Sequence, residues 1–259
     1  MGRSLMLDRR EQVVAKVSVI LPAAGQSRRF GDKHTKKQFA LLDGRPVWIH
    51  AAERFINRED VIQTLLIIAA DDREYFQQKF ASSAALLGIE VVIGGKERCD
   101  SVQNALTRVK EEAELICVHD AVRPCVAEQW IDRVFEKAAQ TGAAILAIPI
   151  TGTLKRVSAD RLVEETVSRT QLWEAQTPQV FRRELLLKAY ARRGDFLATD
   201  DAQLVERMGH PVHVVEGSVI NVKIATKEDL RLAEQALKIM PKPPIRGPLH
   251  PFAGEDLWR

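Results

Sequence analysis

The sequence predicts an α/β fold, a Rossmann-like, mostly parallel sheet sandwiched by helices and carrying a projecting β-hairpin arm. Three observations lead there. Short apolar, β-branched runs alternate with longer stretches whose apolar residues recur at helical spacing. The alternation continues from Lys16 to Pro149, as expected of strands joined by right-handed helical crossovers. After Pro149 the rhythm breaks once, into two runs of apolar–polar alternation about Ser158-Ala159-Asp160, which is a hairpin pattern.

In chain order, the apolar runs predict strands at 17–21, 64–69, 90–93, 115–119 and 144–150. Helical spacing predicts helices at 47–56, 73–80, 101–112 and 128–140, each able to cover a sheet face. The hairpin comprises 153–157 and 162–167, within an arm of about 150–172. Helical spacing returns at 183–191, 201–208 and 227–238, with a strand at 211–215 before the last. Residues 1–14 read as a flexible N-terminal extension and 15–240 as one domain. Residues 241–259 hold five prolines and few apolar side chains, so a disordered tail is expected there.

Bulk properties exclude several function classes. The 38 basic and 35 acidic side chains nearly cancel, leaving a formal charge of +3 and no global field to attract nucleic acid or membranes. No apolar run approaches the roughly 18 to 20 residues that span a bilayer, and Arg9, Arg10 and Glu11 interrupt any signal-peptide core. A cytoplasmic protein is expected. Cys99, Cys117 and Cys125 are odd in number and lack CxxC spacing, against a disulfide framework or a zinc site.

Ligands of such a sheet gather beyond the carboxyl ends of its strands. The first predicted strand runs into Pro22-Ala23-Ala24-Gly25, small residues whose amides can approach a ligand closely, although a plain βα turn would look the same. Neither GxxxxGK[ST] nor GxGxxG is present there. Arg28, Arg29, Lys33, Lys36 and Lys37 follow, a cluster suited to polyphosphate or to a solvated surface. Gly94-Gly95 and Ser101 mark a strand-to-helix turn, where the hydroxyl could also cap the helix. Asp120 leaves a buried strand, in position to cap a turn or to hold magnesium with phosphate oxygens.

Taken together, these segments resemble one family. Pro22-Ala23-Ala24-Gly25 with Arg29 and Lys37-Gln38-Phe39 is similar to the opening signature of nucleotide-sugar-type pyrophosphorylases. Gly94 to Val102, His119-Asp120-Ala121-Val122-Arg123-Pro124, Thr177-Pro178-Gln179 and Asn221-Val222-Lys223 resemble the 2-C-methyl-D-erythritol 4-phosphate cytidylyltransferases, so that matches cover nearly the whole body of the chain. The resemblance implies CMP transfer from CTP to methylerythritol phosphate, with ribitol 5-phosphate as the alternative acceptor and a non-catalytic nucleotide-binding regulator as the remote alternative. It implies catalytic roles for Arg29, Lys37 and Lys223, and a divalent cation, Mg²⁺, on Asp120. Nucleotide contacts are implied for Ala23, Ala24, Gly25, Gly95, Ser101, Ala121 and Arg123. Thr153 and Arg169 are implied to bind the acceptor phosphate across a homodimer formed through the arm; a surface ion pair is the plainer reading of Arg169. Thr199-Asp200-Asp201 also resembles the family but is read as a helix cap without a catalytic role. Gly152, Ser168 and Ile220 stand where aspartate is common in the family.

Overall fold

The protein is described by a computed structural model covering residues 15–27, 29–31 and 35–241. The expected N-terminal extension and the expected C-terminal tail, Pro241 excepted, therefore lie outside the described residues.

The elements run β1 (Val17–Pro22), β2 (Leu41–Leu42), β3 (Arg45–Pro46), α1 (Val47–Ala52), β4 (Val61–Ile68), α2 (Arg73–Lys79), α3 (Ala81–Leu86), β5 (Ile89–Ile93), α4 (Arg98–Leu106) and β6 (Leu115–Val118). They continue with α5 (Glu128–Thr141), β7 (Ala143–Pro149), β8 (Leu154–Val157), β9 (Val163–Val167), β10 (Trp173–Arg182), α6 (Arg183–Ala191), α7 (Asp201–Glu206), β11 (His213–Glu216) and α8 (Lys227–Ile239). Seven strands form one sheet in the order β11-β7-β10-β6-β1-β4-β5. All neighbouring pairs in it are parallel except those of β10, which lies antiparallel between β6 and β7.

β1 is central because both its faces are apolar. Val17, Val19 and Leu21 join Trp48, Phe55 and Ile131 on one side, while Ile20 joins Val102, Phe181 and Leu186 on the other. Period-two alternation thus feeds two cores, and helices cover both faces. α5 shows how one helix is tied down. Trp130, Ile131, Val134, Phe135 and Ala138 form its buried stripe, and the helix stops at Gly142, whose φ of 92° suits glycine. Each fully buried side chain of this size contributes about 1.5–3 kcal/mol.

Several boundaries differ from the sequence expectation. The helix expected at 47–56 ends at Ala52, and that expected at 101–112 spans Arg98–Leu106. β10 and α3 add to the expected elements. The hairpin is present as β8 paired with β9 in a separate two-stranded sheet, largely exposed. All three cysteines are buried and free. Among the described residues no helix is long and apolar enough to cross a membrane.

Candidate active site

Parallel pairing of β1 with β4 and β6 aligns the carboxyl ends of these strands on one edge. The strands stay joined as they leave it: the Ala23 amide donates to Ile67 O at 2.8 Å, and the Ala121 amide to Pro22 O at 3.3 Å. The Ala23–Gly25 turn is therefore held beside Asp120.

Asp120 is the centre of charge. Its side chain is nearly buried, yet Lys223 Nζ lies 2.8 Å away, Arg123 Nε 3.5 Å and Arg98 Nη2 4.0 Å. Burial alone would raise its pKa, but Lys223, Arg98 and Arg123 outweigh that effect and hold the carboxyl well below the usual range. A hydrogen-bond relay fixes the backbone beneath it. His119 Nε2 lies 2.9 Å from Arg123 O, which can only accept, so Nε2 carries the proton and Nδ1 accepts from the Thr177 hydroxyl at 3.1 Å. Thr177 Oγ1 in turn accepts the Asp120 amide at 3.0 Å. Burial pushes the His119 pKa down to about 4, so the imidazole stays neutral and positions the backbone.

Lys223 reaches Asp120 because the segment before it is clamped. Asn221 Nδ2 donates to Thr177 O at 2.9 Å and to Gln176 Oε1 at 3.2 Å, while Arg123 Nη1 donates to Asn221 O at 2.7 Å. Arg123 is thus spent largely on holding Asp120 and Asn221; only 6% of it is exposed, and Ala121 is fully buried.

Lys37 enters from the loop after β1. Ser27, at φ 55°, accepts the Lys37 amide at 3.0 Å and donates to Gln38 Oε1 at 3.2 Å, while Gln38 Nε2 donates to Gly25 O at 3.3 Å. The Lys37 pKa is lowered, first by burial and then by the neighbouring charge of Lys223, with Arg29 adding to the effect. Two lysines therefore converge on the Asp120 carboxylate, while the charge of Arg29 is felt at Lys37 and at Asp229. Lys36 of the same basic cluster turns away to Asp72 at 2.7 Å; Arg28 and Lys33 lie outside the described residues.

Opposite this loop, Gly94 and Gly95 admit no side chain. A Cβ on Gly94 would sit 2.8 Å from Ser101 Oγ, and one on Gly95 would sit 2.5 Å from Asp100 Cβ. The Gly95 amide donates to Ser101 Oγ at 3.0 Å, and that hydroxyl donates to Glu97 O at 2.9 Å. Ser101 lies inside α4 and does not cap it; Glu97 and Asp100 form the capping box.

Sequence reasoning missed Arg98 and Asp201. Asp201 is fully buried, pairs with Arg98 Nη2 at 2.7 Å and accepts the Tyr190 hydroxyl at 2.5 Å. Burial opposes the charge on Arg98, but Asp201 and Asp120 together raise its pKa. Gln179 Oε1 accepts the amides of Asp201 and Ala202 at 3.1 Å each, and Asp200 is the α7 cap, as expected of that segment. Thr153 and Arg169 lie apart from this network. Both are exposed in the arm, where Arg169 Nη1 donates to Thr151 O.

Chemically, the cluster offers cations to a polyphosphate and one acidic group to a hard metal ion. Among the described residues no set of three or more His, Cys, Asp or Glu side chains could form an all-protein metal site. A lone carboxylate beside cations that could take phosphate fits magnesium, which commonly takes one or two carboxylates together with substrate oxygens.

Comparison with known proteins shows the family. The family model described as IspD, 2-C-methyl-D-erythritol 4-phosphate cytidylyltransferase, matches residues 17–239. The enzyme of that name from Rhodopirellula baltica is 47% identical over 234 residues, covering 86% of this chain and 95% of the relative. That from Syntrophus aciditrophicus is 41% identical over 226 residues, covering 86% and 96%. Among solved structures, the cytidylyltransferase of Thermus thermophilus aligns at a TM-score of 0.69 and 34% identity, covering 86% of this chain and 100% of that one. That of Francisella tularensis aligns at 0.73 and 31%, covering 86% and 100%. With a match that spans its sheet, its arm and every segment of the Asp120 cluster, the chain belongs to the 2-C-methyl-D-erythritol 4-phosphate cytidylyltransferase family.

Proposed function

We propose that this chain transfers CMP from CTP to 2-C-methyl-D-erythritol 4-phosphate, giving 4-diphosphocytidyl-2-C-methyl-D-erythritol and pyrophosphate. The observation that carries the reading is the convergence of Lys37 and Lys223 on the Asp120 edge of the sheet, within a chain of that family.

A phosphate oxygen of the acceptor attacks the α-phosphorus of CTP and pyrophosphate departs in line. The nucleophile is ionised at neutral pH and needs no general base. Negative charge builds on the α-phosphate oxygens, so the chain's work is positional and electrostatic. Lys37 and Lys223 donate to the α-phosphate, and Arg29 neutralises the outer phosphates. The Ala23–Gly25 turn and the Gly95–Ser101 edge hold the nucleotide, and buried Ala121 and Arg123 support that edge from beneath. Asp120 is the side chain that would hold Mg²⁺, which supplies further neutralisation of the triphosphate when bound.

The arm serves the acceptor. Val157, Leu162 and Val163 are 52%, 68% and 62% exposed, and an isolated two-stranded hairpin is marginal in water. A twofold homodimer would cover these side chains and bring Thr153 and Arg169 of one subunit to the acceptor side of the other's site.

Incubation with CTP and Mg²⁺ tests the function, with methylerythritol phosphate and ribitol 5-phosphate compared as acceptors. Pyrophosphate release is expected with methylerythritol phosphate at a kcat/KM at least about tenfold higher, a difference of about 1.4 kcal/mol in transition-state binding. A preference for ribitol phosphate would move the chain to that acceptor; equal use of CTP, ATP, GTP and UTP would remove the cytosine assignment.

A further inference from the structure

On the outer side of the Lys37 loop, a groove of about 630 Å³ runs between α8, the start of β2 and α2. Its walls are aromatic. Phe39 lies 5.5 Å from Tyr75 and 5.4 Å from Phe80 by ring centroids, and Tyr75 lies 5.8 Å from Phe80. Leu41 and Tyr75 remain 62% and 43% exposed there. Among the described residues, Lys79, Lys227 and Arg231 line the rim against a single acid, Glu234. An apolar groove with a cationic rim suits a ligand that is apolar and proline-bearing in its body and acidic at one end.

The chain itself carries such a segment. Residues 242–259 follow α8, which forms one wall of the groove, and include Pro248-Leu249-His250-Pro251-Phe252 followed by the acidic pair Glu255-Asp256, with Lys242 and Arg246 before the apolar run and Arg259 after the pair. We propose that this C-terminal segment docks back into the groove of its own chain, with Pro248 to Phe252 on Tyr75 and Phe80 and the acidic pair at Lys79 and Arg231. The chain leaves α8 at Met240 with φ −56° and ψ 141°, already in the polyproline conformation that aromatic grooves receive. From Met240 back to Lys227 is about 20 Å along the helix at 1.5 Å per residue. About seven residues at roughly 3.1 Å each would cover that distance, so 241–247 are long enough to bring Pro248 to the groove. A segment that cannot fold alone can still dock, because tethering supplies it at an effective concentration of about millimolar.

Phe39 and Ala40 form the groove's inner wall and directly follow Lys37 and Gln38, so a docked segment stiffens that loop from behind. This consequence rests on the cytidylyltransferase reading; the docking does not.

The test uses the full chain and no activity. Trypsin cuts after Arg246, whereas Lys242 is shielded by the proline that follows it. Loss of residues 247–259, followed by intact mass, should be at least about tenfold slower in the wild type than in a Tyr75→Ala, Arg231→Glu double variant. Both replaced side chains are exposed, so an unchanged melting temperature confirms that the body is intact. In parallel, Phe252 replaced by p-benzoyl-phenylalanine should cross-link within one chain to α2 or α8. Equal cleavage rates would overturn the proposal, as would cross-links confined to another copy of the chain, to residues 1–14 or to sites outside the groove.

Discussion

Replacing Lys37 or Lys223 with alanine is expected to lower kcat about 100-fold or more, with a smaller change in KM. Removing one donor to a developing oxyanion typically costs about 10²–10³-fold, or about 2.7–4 kcal/mol. For Lys37 the surroundings argue for the upper part of that range, whereas Lys223 is the more exposed of the two. Lys37 is largely buried, its pKa is lowered by desolvation and by Lys223, and charges in such a place are poorly screened by water. The two effects should also fail to add, because both cations act on the same phosphate and the charge of Lys223 weakens the hold of Lys37 on its proton. Steady-state kinetics on both single variants and the double variant measure this directly. A variant with wild-type kcat would reduce that lysine to a solvated surface charge. A rise in KM alone would confine it to ground-state binding.

Arg169→Ala is expected to be nearly inactive alone, yet rescued by a partner carrying Lys37→Ala. The two positions lie on separate parts of the chain: Arg169 is in the exposed arm, tied to Thr151, and Lys37 is in the loop after β1. If the arm completes the partner's site, each mixed dimer holds one site with both lesions and one with neither. Random pairing of equal amounts then restores roughly a quarter of wild-type activity. Arms acting within their own subunit leave every site damaged, and the mixture remains as inactive as its parents after demonstrated subunit exchange. A monomer in solution would remove the premise.

Much of this site is legible in the sequence because the strand ends carry it. β1 and β6 are short runs of buried β-branched and small residues, so periodicity and connection rules place the residues just beyond them, Ala23 to Gly25 and Asp120, on one edge. β10 escapes such a reading because Trp173–Arg182 includes Pro178 and shows no clean alternation. It pairs with both neighbours, and its pairing with β7 carries a register shift between Ala175 and Gln179 that no local pattern announces. Without that strand, what Thr177 and Gln179 do stays hidden, since their partners Asp120 and Asp201 are distant in sequence.

Arg98 and Asp201 are invisible for a related reason. An arginine in the first turn of a helix and an aspartate beside a cap look like solvated charges. Only the fold brings Arg98, 103 residues away in the chain, to buried Asp201 and to within 4.0 Å of the central carboxylate. Conversely, the cluster of five cations after β1 promises more than it delivers, because Lys36 is spent on Asp72.

The central claim is direct transfer of a cytidylyl group at the Lys37–Lys223–Asp120 edge, without a covalent enzyme intermediate. It is tested most directly by a single turnover with CTP radiolabelled at the α-phosphorus, Mg²⁺ and methylerythritol phosphate, quenched in acid. The label should pass wholly into the diphosphocytidyl polyol while unlabelled pyrophosphate appears in equal amount. Label retained on the denatured protein, or none transferred when the acceptor is present, would contradict it.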